Sequence, residues 1–122
     1  IGVAFQLIDD ALDYGTEDEA FGKTVGDDFA DGKVTLPLVL AYAAGDTEEQ
    51  RFWERVIDHG EQRDGDFERA LAILHRHDAI RATIRRAEER GEAARRALDG
   101  FPPSPERTAM LDLVDFCIER AY

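Results

Sequence analysis

The chain has 122 residues, 43% of them hydrophobic and 34% charged, which suits one small folded domain and argues against disorder. Its net charge, 15 − 27 = −12, excludes an ordinary nucleic-acid binder, which needs clustered Lys and Arg; a small phosphorylated ligand bridged by cations stays open. The longest apolar stretch, Val34 to Ala44, is far short of the ~20 residues that cross a bilayer, no signal-peptide pattern is visible, and the one cysteine, Cys117, precludes an internal disulfide, so the expectation is a cytoplasmic protein.

Residues 1–14 read as the tail of a helix. The chain opens on Ile1 in mid-pattern, without a helix start signal, which predicts a segment whose N-terminal portion is missing. Within this helix, "FQLIDDALDY" sets Asp9, Asp10 and Asp13 in an otherwise apolar run. At about 100° per residue, and with Gln6 at zero, the aspartates fall near −60°, 40° and −20°. Val3, Ala4, Leu7, Ile8, Ala11 and Leu12 fill the remaining arc. A surface helix shows the reverse proportions, so this one reads as buried on most sides, with a narrow acidic stripe facing something polar. Three carboxylates so close repel one another unless one is protonated or a cation joins them. Hard oxygen ligands of this kind suit Mg2+, which takes a few carboxylates plus waters and phosphate oxygens. The bland reading is a solvated acidic edge, and the apolar surroundings weigh against it.

Residues 15–33 read as a loop: Gly15, Gly22, Gly26, Gly32 and many acids break any period. It carries Lys23 and Lys33, each behind a glycine. Lys33 lies near the start of the next helix, where positive charge opposes the helix dipole, so an anionic ligand is the alternative to an ordinary surface charge. "DDFADG" fails as a calcium loop because Phe29 occupies a ligand position. Thr35 is a candidate cap for "LPLVLAYAA", with Pro37 in the first turn. This helix is apolar nearly all round and reads as buried.

Thr47 and Gln50 resemble a capping box, followed by a face of Phe52, Trp53, Val56 and Ile57 up to Gly60. Asp66 is a candidate cap for a helix bearing Phe67, Ala70, Leu71 and Leu74, and Asp78 for the next. There Ile80, Ile84, Ala87, Gly91, Ala94 and Leu98 make a seam whose small residues admit a close neighbour. Ser104-Pro105 starts the last helix, with Met110, Val114, Cys117, Ile118 and Ala121 as its buried stripe. About six helices with short connections follow, and no alternating strand. The class is all-α, a helical bundle or part of one. Residues 1–45 hold the unusual chemistry and 46–122 read as scaffold. His59, His75 and His77 lack metal-ligand spacing. The arginines from 81 to 96 alternate with acids as on a solvated face.

Carboxylates for Mg2+ together with lysines on flexible turns describe a diphosphate site. Three ordered elements, FQ-x-x-DD-x-x-D, then GK, then D-x-x-x-GK-x-TLP, make the chain resemble the second aspartate-rich region of the trans-polyprenyl diphosphate synthases. The likeness is nearest to the long-chain octaprenyl, solanesyl and decaprenyl types of quinone side-chain synthesis. It is dense over residues 1–45 and rests further on "FPPSPER" and "IERAY".

The resemblance implies the all-α isoprenoid synthase fold and Mg2+-dependent condensation of isopentenyl diphosphate onto an allylic diphosphate. By it, Asp9, Asp10 and Asp13 would hold Mg2+, Lys23 and Lys33 would contact the allylic diphosphate, Gln6 would steady the carbocation, Phe5 would line the cavity, and Asp28 would order the loop. Family tails sometimes reach the diphosphate pocket, and Arg120 is weighed for that against an ordinary terminal position. The chain carries no first aspartate-rich motif. Residues 1–122 therefore read as the C-terminal part of one synthase domain, inactive alone. The complete enzyme would be a homodimer with peripheral membrane contact at most. A non-catalytic subunit of a heteromeric synthase is the alternative.

Overall fold

A computed structural model describes residues 1–15 and 26–122 of the chain. The described residues form seven α-helices and no strand, which bears out the all-α expectation. Helix α1 (Gly2–Asp13) ends at Tyr14, and Gly15 then takes φ 88°. Helix α2 (Asp27–Ala30) is a single turn inside the stretch expected to be all loop. It follows Gly26, whose φ of 92° an L side chain seldom adopts. Helix α3 (Leu36–Ala44) starts after the extended Thr35, with Pro37 in its first turn.

Helix α4 (Thr47–Trp53) is capped one residue earlier than the sequence suggests. Asp46 accepts the Glu49 amide at 2.9 Å, and the Glu49 carboxylate reaches back to the Asp46 amide at 3.4 Å. An acidic cap followed by glutamate at N3 fits the box at least as well as Thr47 with Gln50. Helix α4 then widens into a π-helical turn at Glu54–Asp58, where the His59 amide donates to the Glu54 carbonyl at 2.9 Å.

Helix α5 (Asp66–Arg76) begins with Asp66 inside the helix rather than as its cap. The Asp66 carboxylate instead accepts both guanidinium amines of Arg55, at 2.9 and 3.0 Å, and the Arg63 amide at 2.7 Å. Helix α6 (Ala79–Leu98) follows Asp78, which sits at the N-cap position with φ 54° and makes no side-chain cap bond. Helix α7 (Pro105–Glu119) is capped by Ser104, whose Oγ accepts the Arg107 amide at 3.0 Å.

Helix α6 is the axis, packing against α1, α3, α5 and α7. Its buried line is Ala79, Ile80, Thr83, Ile84, Ala87 and Gly91. Small groups there let neighbours close in: a Cβ on Gly91 would stand 3.2 Å from the Ile118 side chain of α7. Ile8 and Ala11 of α1, Tyr14, Leu38, Trp53, Val56 and Leu74 complete one continuous core.

Expected burials fail in α3 and α7. Val39 in α3 is 45% exposed and Met110 in α7 is 41% exposed. Both helices are apolar on more than one face, so periodicity alone cannot say which face meets α6. On α7 the buried residues are Val114 and Cys117, while Leu113 and Phe116 stand out with Met110. No helix among the described residues is long and apolar enough to cross a membrane.

Candidate functional site

The acidic stripe lies on α1, the helix packed most extensively against α6. Ala4, Ile8 and Ala11 bury the helix on the α6 side. The stripe is not uniformly exposed, however. Gln6 is exposed, Asp9 lies half-buried, and Asp10 and Asp13 are buried at 7% and 6% exposure. Val3, expected on the apolar arc, stands 55% exposed, and Phe5 is 42% exposed.

Each carboxylate has a distinct partner. Gln6 Nε2 donates to Asp10 Oδ1 at 2.8 Å, one helical turn on. Asp13 Oδ2 accepts the Asp28 backbone amide at 2.9 Å, and the Asp13 carbonyl accepts the Gly26 amide at 2.7 Å. Asp13 thus ties α1 to α2 twice. Asp9 Oδ1 lies 3.6 Å from Nη2 of Arg120, whose guanidinium also lies 4.2 Å from the Phe5 ring centre.

Helix α2 carries the connection onward. Phe29 is buried in the core, packing its ring 5.7 Å from that of Phe67. Gln62 Nε2 donates to the Phe29 carbonyl at 2.7 Å. The Lys33 amide donates to the Asp28 carbonyl at 2.8 Å. The Lys33 ammonium, 53% exposed, stands 3.9 Å from Asp28 Oδ1. An exposed pair at that distance is weak, so this ammonium is available to an anion. Asp28 therefore links Asp13 to Lys33 through its backbone. Lys23 lies outside the described residues.

Behind the stripe, Tyr14 and Thr35 are buried, and neither hydroxyl finds a hydrogen-bond partner among the described residues. Burial pushes the Tyr14 phenol up to about 12. The Thr35 hydroxyl is near enough to favour the phenolate and oppose the rise, though the two hydroxyls do not meet hydrogen-bond geometry, and the charges of Asp13, Asp28 and Asp10 add to the rise. This pair went unnoticed in the sequence. Its only signal is that Tyr14 closes the stripe's helix and Thr35 opens the next.

The donor set can be tested against a cation. All three side chains offer carboxylate oxygen, the ligand Mg2+ takes. Among the described residues, no three acidic, histidine or cysteine groups converge enough to enclose an ion. Mg2+ does not require that: it keeps several waters and uses one or two carboxylates beside phosphate oxygens. Asp9, at the more open end of the stripe, fits as such a ligand. A separate cavity of about 540 Å3 lies between α5, α6 and the C-terminus, lined by Leu74, His75, Asp78, Arg81 and Tyr122 among others. No stripe aspartate lines it.

The sequence profile described as polyprenyl synthetase matches residues 1–74. The chain is 36% identical over 122 residues to an octaprenyl diphosphate synthase of Haemophilus influenzae, covering all of this chain and 37% of that protein. It is 38% identical over 120 residues to the octaprenyl diphosphate synthase of Escherichia coli, covering 98% and 37%. Among solved structures, a decaprenyl diphosphate synthase of Rhodobacter capsulatus superposes with a TM-score of 0.90 at 43% identity, covering 99% of this chain and 37% of that one. A Caulobacter crescentus polyprenyl synthase, crystallised with calcium and isoprenyl diphosphate, gives 0.86 at 45%, with coverage of 99% and 37%. The chain thus spans little more than a third of these relatives.

Proposed function

Because the chain belongs to the polyprenyl synthetase family, we propose that it forms one wall of a prenyltransferase site, where an allylic diphosphate is extended by isopentenyl diphosphate to a long-chain polyprenyl diphosphate for a quinone side chain. The observation that supports this reading is the hydrogen-bonded tie from Asp13 through the Asp28 amide to Lys33, which connects the acidic stripe to an exposed ammonium. That tie lies wholly within the stretch matched to the family. The relative crystallised with a divalent cation and an isoprenyl diphosphate supports the same ligand chemistry.

Asp9 would hold Mg2+, with Asp10 and Asp13 completing the set directly or through waters. Bound there, the cation would offset the charge that develops on a departing diphosphate. The chain's own residues supply the rest. Lys33, and Lys23 ten residues before it, would add positive charge at the diphosphate. The Gln6 amide nitrogen is committed to Asp10, which leaves its carbonyl oxygen as the end that can face an allylic cation. Oriented dipoles of this kind stabilise developing charge without reorganising. Phe5, exposed one residue away, would line the hydrocarbon side.

The chain has a single acidic stripe of this type, so we propose that it makes no product alone. The test is a chimera that completes it with the preceding part of the Caulobacter crescentus synthase. Incorporation of labelled isopentenyl diphosphate should require Mg2+ and fall by at least about 100-fold in Asp9→Asn, the scale of losing a charge-stabilising group. An Asp9→Asn chimera as active as its parent would refute the site, and product from the isolated chain would refute its dependence on the rest.

A further inference from the structure

Within the stripe, Gln6 Nε2 donates to Asp10 and the Asp28 amide donates to Asp13. At Asp9 a formal positive charge arrives from Arg120. Arg120 closes α7, and that end of the chain is anchored. Ala121 is buried at 9% exposure, and the Tyr122 hydroxyl bonds to Glu88 of α6. The Arg120 side chain is itself only 17% exposed. Its guanidinium carbon lies over the Phe5 ring, 4.2 Å from the ring centre, and an amine stands 3.6 Å from Asp9. One cation thus meets an aromatic ring and a carboxylate at once.

We propose that Arg120 is a positioning residue of the acidic stripe: it is the built-in counter-charge that holds the Asp9 carboxylate until a divalent cation displaces it. The contact is suited to displacement. At 3.6 Å it neutralises charge but is too long for a hydrogen bond, whereas Mg2+ binds a carboxylate oxygen at about 2.0–2.1 Å. Guanidinium and metal repel each other, so one carboxylate cannot serve both fully. The end of α7 thereby senses whether the stripe is loaded. This inference rests on the cation reading of Asp9 above.

The experiment is calorimetric titration of the 122-residue chain with Mn2+, for wild type, Arg120→Gln, Arg120→Lys, Asp9→Asn and Arg76→Gln. Arg76 pairs with Glu49, so its replacement removes the same charge away from the stripe. Circular dichroism checks that each variant is folded. Arg120→Gln should bind Mn2+ about three- to tenfold more tightly than wild type, the scale of one partly screened ion pair. Arg120→Lys should stay within about twofold, and Arg76→Gln should match wild type. The Arg120 Nε–Hε resonance should shift on Mg2+ addition in wild type and not in Asp9→Asn. Binding that Asp9→Asn abolishes but Arg120→Gln leaves unchanged overturns the role of Arg120 and spares the cation site. Absence of Mn2+ binding in both wild type and Arg120→Gln overturns the cation site and this inference with it.

Discussion

Gly26 donates its amide to the Asp13 carbonyl and opens α2 at φ 92°, ψ 9°. Alanine there meets two obstacles. The left-handed backbone costs an L residue about 1–2 kcal/mol. A Cβ would also stand 2.8 and 2.9 Å from Cε2 and Cζ of Phe67. Phe67 is only half-buried, so its ring can yield, at the expense of its contact with Phe29. That places the steric share near the low end of overpacking, about 1 kcal/mol. The sum is about 2–3 kcal/mol. With an unfolding entropy of about 2.1 cal/mol/K per residue over 122 residues, each kcal/mol lowers Tm by about 4 °C, so Gly26→Ala should melt about 8–12 °C below wild type. Thermal unfolding followed by circular dichroism measures this. The double variant Gly26→Ala/Phe67→Leu should melt about 4 °C above the sum of the two single losses, the steric share alone, because Phe67→Leu by itself is destabilising. Gly26→Ala melting within about 2 °C of wild type would refute the reasoning, as would a double variant worse than the sum of its parts.

Tyr14→Phe should change neutral stability little, since the hydroxyl makes no hydrogen bond among the described residues. The folded phenol titrates near 12 rather than 10, so the native state holds its proton more tightly; stability is whole below about pH 10 and falls as pH rises through about 12, by about 2–3 kcal/mol, and Tyr14→Phe should lose less over that window in urea melts. Parallel alkaline curves for the two proteins would count against this. Hydrogen bonds from Arg55 and the Arg63 amide hold the Asp66 carboxyl below the usual range. The stability it contributes is present above the unfolded value of about 3.9 and fades as pH falls through the folded one, so the deficit of Asp66→Asn should shrink in acid; a deficit independent of pH would contradict it. Gly91→Leu should push α7 off α6 at the Ile118 contact, costing about 1–3 kcal/mol in chemical denaturation, and an unchanged midpoint would show that the approach is not tight.

The helices were legible where one face is clearly apolar and the ends carry specific chemistry. Ser104-Pro105 starts α7 as read, and the small-residue seam of α6 does meet α7 closely at Gly91. Legibility failed where two patterns compete. Asp46 and Thr47 are both good caps, and the better N3 partner decides between them. Asp66 looks like a cap, but its charge is worth more to Arg55. The π-helical turn at Glu54–Asp58 left no trace in the apolar spacing. The stripe itself was visible as an angular wedge, but its gradient was not. Spacing places side chains around a helix, whereas burial along its axis depends on α2 and Arg120, which approach from elsewhere in the chain.

The double tie at Asp13 has an evolutionary corollary. Its carbonyl fixes Gly26 and its carboxylate fixes Asp28, so the start and finish of the intervening stretch are held by one residue. Selection at this one position of α1 therefore acts on the acidic stripe and, through the Asp28 carbonyl, on Lys33 together.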